Sequence, residues 1–289
     1  MIRRHKTQVL ILREPFRVPF SGLPRQDRRF SAAVKERLLA RPAKERYILF
    51  IGPSRKEKEK MSDTAVVLAS GGMDSCVTVG LAHQVGHQLA LVHVNYGQRT
   101  QRRELAAFHA IAEHYCVPES RRFVVDIGFL AAIGGSALTD ASLPLPEDEP
   151  LDREGIPISY VPQRNGNLLF IAAAWAEVLG ATSIWTGMVE EDSSGYPDCR
   201  RRFCDAIERA IAEGNDDEHP DPRIITPLIH MRKAEIVRTG LKINAPLHLT
   251  WSCYQREDRA CGRCDSCRLR LRGFREAGAE DPIPYEQGV

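Results

Sequence analysis

A short segment of glycines and hydroxyl-bearing residues gives the chain a candidate phosphate-binding site. Residues 70–75 have the sequence SGGMDS and lie between a β-branched apolar run and a helical pattern. The two glycines allow a tight turn, and the free amides at the start of the helix can bind an anion together with the serine hydroxyls. The segment is not a Walker A loop, because no Gly-Lys-Ser/Thr follows it. The alternative is an ordinary glycine turn in which Asp74 and Ser75 only start the helix.

Four cysteines near the carboxyl end have the spacing of a metal site. Cys253, Cys261, Cys264 and Cys267 form C-x7-C-x2-C-x2-C, and four thiolates this close in sequence can surround one tetrahedral zinc ion. A closed set of four sulfur ligands indicates a structural site. An iron–sulfur cluster is one alternative, and four unrelated buried thiols are another. We expect ordinary core packing for the remaining cysteines: Cys76, Cys116, Cys199 and Cys204.

The pattern around these motifs predicts a parallel sheet with helices between its strands. The predicted strands span residues 64–69, 89–94, 121–127, 182–187 and 223–228. Helices are predicted from the glycine segment to residue 81 and over residues 102–115, 167–179, 200–213 and 233–239. This alternation indicates a doubly wound α/β fold, which binds ligands at the carboxyl ends of its strands. Residues 128–161 are rich in Gly, Pro and acidic residues and are predicted to form a long loop or lid.

Charge divides the chain near residue 60. Residues 1–60 carry 17 Lys and Arg against 6 Asp and Glu, whereas residues 61–289 carry 23 against 32. A basic arm that contacts nucleic acid is one interpretation. Because the charges are scattered among Pro and Leu, we instead expect a poorly ordered leader or an extension upstream of a start at Met61. The rest is predicted to comprise an α/β domain over residues 61–245 and a zinc-binding segment over residues 246–289.

Composition excludes several classes of protein. The chain is 43% hydrophobic and 27% charged, which excludes wholesale disorder. It has no run of 18 apolar residues that would predict a membrane span, and its first residues lack the features of a secretory signal. We therefore expect a cytoplasmic protein, in which disulfides are rare and clustered cysteines bind metal or act in catalysis.

The motifs, taken in order, resemble a known family. The SGGMDS segment is similar to the pyrophosphate loop of ATP-pyrophosphatases, which release pyrophosphate and leave AMP on the substrate. It is followed by NYGQR (95–99), SALTD (136–140), VPQRN (161–165), SGYPDCR (194–200) and TPL (226–228). Together with the four cysteines, these motifs resemble the 7-cyano-7-deazaguanine synthase family, ligases of queuosine and archaeosine precursor synthesis. Asn95 and Gln163 depart from that family, which usually has an acidic residue and a glycine there.

The resemblance implies an adenine-nucleotide alpha-hydrolase-like fold and roles for particular residues. Catalytic roles fall to Asp74, Ser75, Arg99 and Lys233. Mg²⁺ would bridge the phosphates of ATP, and one structural zinc would be held by the four cysteines. The substrate would contact Arg164, Asn165, Gly187, Tyr196 and Asp198. ATP would contact Ala69, Ser70, Gly71, Gly72, Met73, Asp74, Ser75, Cys76, Val77, Thr78 and Val79.

Several of these residues also have an ordinary structural interpretation. Arg99 and Lys233 are candidate cations for the phosphates, although a lone basic residue is usually a surface charge. The Asp198 carboxylate could pair with the amidine edge of a deazapurine while Tyr196 stacks on its face. Alternatively, Asp198 caps the following helix, and Asn165 caps the helix that it begins.

Three functions remain open at this point. The favoured one is an ATP-dependent ligase that converts 7-carboxy-7-deazaguanine and ammonia to 7-cyano-7-deazaguanine, by adenylation first of the carboxylate and then of the amide. We expect such an enzyme to be a homodimer that binds neither nucleic acid nor membrane. The second is a tRNA-modifying ATP-pyrophosphatase, thiolating or lysidine-forming, which predicts a basic surface and a reactive cysteine. The third is a non-enzymatic, zinc-stabilised nucleotide-binding protein, which leaves Arg164, Asp198 and Lys233 without a purpose.

Overall fold

The computed structural model describes residues 10–13, 47–50, 64–151, 155–190, 195–215 and 220–288. The chain divides into two units between Lys60 and Met61. In the first unit, strands β1 (Leu10–Arg13) and β2 (Tyr47–Phe50) pair in the antiparallel sense. The leader expected over residues 1–60 therefore falls mostly outside the described residues.

A five-stranded parallel sheet forms the centre of the second unit, which confirms the predicted fold class. The strands are β3 (Thr64–Leu68), β4 (Gln88–Asn95), β5 (Arg122–Asp126), β6 (Ser183–Thr186) and β7 (Arg223–Ile225). They lie in the order β5-β4-β3-β6-β7, and every neighbouring pair is parallel. The winding direction of the sheet reverses between β3 and β6. In α/β sheets, the ligand-binding crevice lies at the carboxyl ends of the two strands between which this reversal occurs.

Helices cover both faces of this sheet. They are α1 (Met73–Val85), α2 (Gln101–His114), α3 (Phe129–Ile133), α4 (Arg164–Leu179), α5 (Arg201–Gly214), α6 (Lys233–Lys242) and α7 (Asp265–Ala277). Successive side chains of a strand point to opposite faces. Accordingly, Val67 packs in one core with α1, α2 and α6, and Val66 packs in a second core with α4 and α5. Among the described residues, no helix has the length and apolar character needed to cross a bilayer.

The structure differs from the predicted elements in three places. Strand β7 ends at Ile225, ahead of Pro227, which has no N–H to donate to a sheet. The predicted loop over residues 128–161 contains the short helix α3. Helix α7 was not predicted, because its sequence is highly charged. The boundary at residue 245 remains a prediction, and Phe274 of α7 lies in the same core as α1 and α6.

A buried ion pair fastens α7 to the last residues of the chain. Arg270 donates through Nε and Nη2 to the two carboxylate oxygens of Asp281, at 2.7 and 3.0 Å. Only 1% and 3% of these two side chains are exposed. Arg270 Nη1 also donates to Thr250 Oγ1 at 2.7 Å, and Tyr285 Oη donates to Asp281 at 2.7 Å. The two charges are thus fully hydrogen-bonded, as a buried pair must be to be tolerated.

We expect Arg270→Met to lower the free energy of unfolding by about 3–5 kcal/mol, because it leaves the Asp281 carboxylate buried without its partner. Urea denaturation followed by circular dichroism measures this. Arg275, exposed on the same helix, supplies the control: Arg275→Met should cost less than about 0.5 kcal/mol. Equal, small losses in both variants would show that the buried pair does not fasten α7.

Candidate active site

The glycine segment joins the carboxyl end of β3 to the start of α1. Gly71 has a φ of +86°, which strains any residue with a side chain, and a Cβ there would lie 2.4 Å from the carbonyl oxygen of Glu104. Gly72 is the N-cap residue of α1, and no described side chain caps the helix. Ser70 Oγ lies 3.1 Å from Ser75 Oγ and accepts a hydrogen bond from the amide of Gly72. The first amides of α1 therefore remain available to an anion.

Two segments from much later in the chain pack tightly against this turn. A Cβ on Gly187, just past β6, would lie 2.9 Å from the backbone of Asp74 and Ser75. The amide of Trp251 donates to the carbonyl oxygen of Gly71 at 2.9 Å, and the Trp251 side chain is 1% exposed. The turn is thus contacted both by Gly187, which follows β6, and by Trp251, which belongs to the segment that carries the cysteines.

Asp74 and Lys233 form an ion pair beside the turn. Lys233 Nζ donates to Asp74 Oδ2 at 2.5 Å. The other carboxylate oxygen, Oδ1, is buried and has no hydrogen-bond partner among the described residues. The phosphates of a nucleotide can be stabilised by the positive charge of a lysine. The divalent cation that accompanies the nucleotide can be bound by a carboxylate oxygen with free lone pairs. The structure therefore places Lys233, predicted as a phosphate cation, next to the segment predicted to bind phosphate.

A cavity of about 290 Å³ opens beside the turn, between the carboxyl ends of the strands and the cysteine-bearing segment. Residues that are far apart in the sequence meet in its wall. The predicted site residues that line it are Ala69, Ser70, Gly72, Met73, Asp74, Ser75, Arg164, Asn165, Gly187, Tyr196 and Lys233. The candidate site therefore lies where the winding direction of the sheet reverses, at the carboxyl ends of β3 and β6.

Part of the cavity wall is aromatic and carries the guanidinium of Arg164. The Arg164 guanidinium lies 5.2 Å from the ring centre of Tyr96 and 5.9 Å from that of Tyr196, and its Nη1 donates to Tyr96 Oη at 3.2 Å. Tyr196 Oη donates to Ser159 Oγ at 2.9 Å. Burial raises the pKa of Tyr96 to about 12, so the phenol is neutral at physiological pH. Such a wall suits a flat ring that bears an acidic group.

Some predicted site residues lie away from the cavity. The Arg99 guanidinium donates to the backbone carbonyl groups of Asp140 and Leu143, so it ties down the 128–161 segment instead of facing phosphate. The remaining ATP residues do not line the wall: Gly71, Cys76, Val77, Thr78 and Val79. Their contact with ATP stays a prediction, and so does catalysis by Arg99, which its placement does not support.

Asp198 takes a position that neither sequence interpretation anticipated. Its Oδ2 accepts a hydrogen bond from the backbone amide of Asn165 at 3.1 Å, so it caps α4, the helix that precedes it in the chain. The interpretation that Asp198 caps the following helix is wrong, and Asn165 does not cap α4 itself. Asp198 is 2% exposed and does not line the cavity. Its contact with substrate stays a prediction.

The four clustered cysteines converge on one point. Their sulfur atoms all lie within 4.8 Å of one another, and the Cys261 and Cys267 sulfurs are 3.9 Å apart. Four sulfurs at about 2.3 Å from a tetrahedral zinc would be separated by about 3.8 Å. The amides of Arg256 and Cys261 donate to Cys253 Sγ at 3.3 and 3.4 Å, which stabilises a thiolate. The donor set and its spacing fit a closed tetrahedral metal site.

Comparison with known proteins agrees with this geometry. Residues 64–278, more than half of the chain, match the family described as queuosine biosynthesis protein QueC. The chain belongs to the QueC family. Among its relatives, the 7-cyano-7-deazaguanine synthase of Chlorobaculum parvum is 54% identical over 224 residues, which cover 77% of this chain and 96% of that protein. The enzyme of the same name from Nitratiruptor sp. is 53% identical over 224 residues, covering 77% and 98%.

Solved structures show a weaker likeness. A 4-thiouridine synthetase in complex with RNA and ATP is 18% identical, with a TM-score of 0.42, over 77% of this chain and 47% of that one. A similarity of this size carries no argument about the function of the QueC-family chain.

The two departures from the QueC family have different structural settings. Gln163 precedes α4 with a φ of +56°, a conformation that favours the glycine usual there. Asn95 contacts the buried His93, whose Nδ1 donates to the carbonyl oxygen of Ala69 at 3.1 Å. Burial lowers the pKa of His93. Neither departure lines the cavity.

Several residues that line the cavity were missed from the sequence: Tyr96, Glu104, Tyr254 and Arg270. Tyr96 lies inside the NYGQR motif (95–99), and Tyr254 directly follows Cys253 of the cysteine cluster, so their closeness to these motifs was a usable signal. Glu104 and Arg270 look like ordinary charged positions on helices. Nothing in their spacing separates them from surface residues.

Proposed function

We propose that the protein is an ATP-dependent ligase that converts 7-carboxy-7-deazaguanine and ammonia into 7-cyano-7-deazaguanine. The observation that carries this proposal is one cavity whose wall holds two unlike groups of residues. The open helix start with Asp74 and Lys233 suits the phosphates of ATP, and the aromatic wall with Arg164 suits a flat carboxylated ring. Membership of the QueC family and the names of its relatives support the same substrate.

The reaction needs positioning and charge neutralisation from the protein. A carboxylate oxygen of the substrate attacks the α-phosphorus of ATP and expels pyrophosphate. Ammonia then attacks the acyl carbon, AMP leaves, and a proton is lost to give the amide. The amide oxygen then attacks the α-phosphorus of a second ATP and expels pyrophosphate, and loss of AMP and of both amide protons leaves the nitrile. In this scheme the amides of α1 and Lys233 stabilise the negative charge that develops on the phosphates.

Two metals belong to the proposal. The unpartnered Oδ1 of Asp74 fits a ligand of Mg²⁺, which supplies charge neutralisation to the phosphates when bound. The four clustered cysteines would hold one zinc ion per chain in a purely structural role, because all four positions are protein thiolates. Neither Asp74 nor the cysteines needs to move a proton in this scheme.

The thiol chemistry of the cavity disfavours the tRNA-thiolating alternative. Cys199 lines the cavity, but burial raises the pKa of its thiol to about 12. Burial likewise raises the pKa of Cys76 to about 12 and of Cys204 to about 11. A thiol is a poor nucleophile until it is deprotonated. The acidic balance of residues 61–289 further supports a small substrate over RNA, and eight cysteines without a disulfide suit a cytoplasmic enzyme.

Incubation with ATP, Mg²⁺, ammonium and 7-carboxy-7-deazaguanine tests the proposal directly. We expect mass spectrometry to detect the nitrile, with two molecules of AMP released for each nitrile formed. Omission of ammonium should abolish the nitrile while 7-carboxy-7-deazaguanine still stimulates pyrophosphate release. A folded, ATP-binding preparation that forms no nitrile would refute the proposed reaction.

A further inference from the structure

Glu104 places a carboxylate in the wall of the cavity that the mechanism above leaves unused. It lies on α2, next to the phosphate-binding turn, where its carbonyl oxygen limits the space at Gly71. Its side chain is held by two donors. The Thr100 hydroxyl donates to Oε1 at 2.8 Å, and Gln98 Nε2 donates to Oε2 at 3.1 Å.

The orientation of these donors is itself fixed. Gln98 Oε1 accepts a hydrogen bond from the backbone amide of Tyr96 at 2.9 Å, so the amide group of Gln98 must turn its NH₂ toward Glu104. Gln98 and Thr100 are 5% and 1% exposed. Burial raises the pKa of Glu104 above its usual value, although the hydrogen bonds from Thr100 and Gln98 oppose this. The Gln98 amide can only donate here, which favours the ionised carboxylate, and the single proton of the Thr100 hydroxyl is within reach of both Glu104 Oε1 and the carbonyl oxygen of Cys253, at 3.1 Å.

The carboxylate retains capacity for a ligand. An ionised carboxylate has about four acceptor sites on its two oxygens, and one on each oxygen is taken by Thr100 or Gln98. The remaining sites, one per oxygen, match two parallel N–H donors. A guanine-like edge offers that pair in its ring N–H and its exocyclic amino group, whereas an adenine edge offers one donor beside an acceptor nitrogen.

We propose that Glu104 recognises the guanine-like edge of the substrate. The inference rests on the proposed function and assigns to Glu104 the part that the sequence assigned to Asp198, which caps α4 and does not line the cavity. Arg164 lies within electrostatic reach of Glu104 and is flanked by the rings of Tyr96 and Tyr196. These groups hold the flat ring between a cation and an acceptor pair. Glu104 thus determines specificity and takes no part in bond making.

The test compares two substrates in two enzymes. The second substrate is the 7-carboxy-7-deazapurine that lacks only the 2-amino group. We expect the wild-type protein to prefer the aminated substrate by about 10²-fold in kcat/KM, because the analogue leaves a polar acceptor unpaired. Glu104→Gln should lower kcat/KM for the aminated substrate by a similar factor and reduce the preference to about threefold or less, with the KM for ATP unchanged. Glu113→Gln, on the same helix with 71% of its side chain exposed, should behave as wild type.

Three outcomes would overturn the inference. They are a wild-type protein with no preference for the 2-amino group, a Glu104→Gln variant that keeps the full preference, and a variant whose KM for ATP rises as much as that for the substrate. The first needs no variant, so it decides the matter even if Glu104→Gln does not fold. If the wild type forms no nitrile, the proposed function fails, and the same comparison made by calorimetric binding of both ring compounds still decides the role of Glu104.

Discussion

Replacing Asp74 with asparagine will lower kcat/KM for nitrile formation by about 10²-fold or more, with the fold intact. Asparagine keeps the shape of the side chain but removes the charge that pairs with Lys233 at 2.5 Å. It also replaces one of the two carboxylate oxygens with an NH₂ group, which does not bind a cation. The unpartnered Oδ1 then loses its negative charge. Steady-state assays of nitrile formation measure the loss, and thermal unfolding reports on the fold.

The partner residue makes this prediction sharper. Lys233→Met should cost a similar factor, because it removes the cation proposed to stabilise the negative charge that develops on the phosphates. Lys242, exposed at the other end of α6, gives the matched control, and Lys242→Met should retain the wild-type rate. Near-wild-type rates in both Asp74→Asn and Lys233→Met would mean that the glycine segment is only a turn.

Replacing Cys264 with serine will lower metal content and stability together. The four sulfurs lie within 4.8 Å of one another in a buried cluster, and zinc binding contributes apparent free energies of about 10–16 kcal/mol in small zinc domains. Elemental analysis of the wild-type protein should give about one zinc and no iron per chain. The variant should lose the zinc and unfold at a markedly lower temperature, with activity falling as a consequence.

Cys116 provides the control, since it is exposed and lies outside the cluster. Cys116→Ser should keep both the zinc and the unfolding temperature. Brown wild-type protein with stoichiometric iron would contradict the zinc assignment and favour an iron–sulfur cluster. A colourless, metal-free wild-type protein of full stability would instead show four ordinary thiols.

The sequence was informative where structure is decided locally. The strand before SGGMDS, the helix after it and the glycines between them are neighbours in the chain, so their pattern predicted the turn between strand and helix. The four cysteines were equally clear, because 15 residues contain the whole cluster. Such features depend little on the rest of the fold.

The sequence was uninformative where a residue acts through a distant partner. Asp198 caps a helix that begins more than thirty positions earlier, and no pattern near Asp198 reveals this. Arg270 is buried because Asp281 pairs with it, so α7 looked too polar to belong to the core. Glu104 faces the cavity only because the turn at Gly71 packs against its backbone.

The hydrogen bond from the Trp251 amide to the Gly71 carbonyl oxygen, at 2.9 Å, has a thermodynamic consequence. Trp251 lies two residues before Cys253, so a metal that orders the cysteines also orders the residue that braces the phosphate-binding turn. If the cysteines hold zinc and the turn holds ATP, as proposed, the two are linked ligands, and each would raise the affinity of the protein for the other by the same factor. Removing the metal would then weaken ATP binding even though no cysteine contacts the nucleotide.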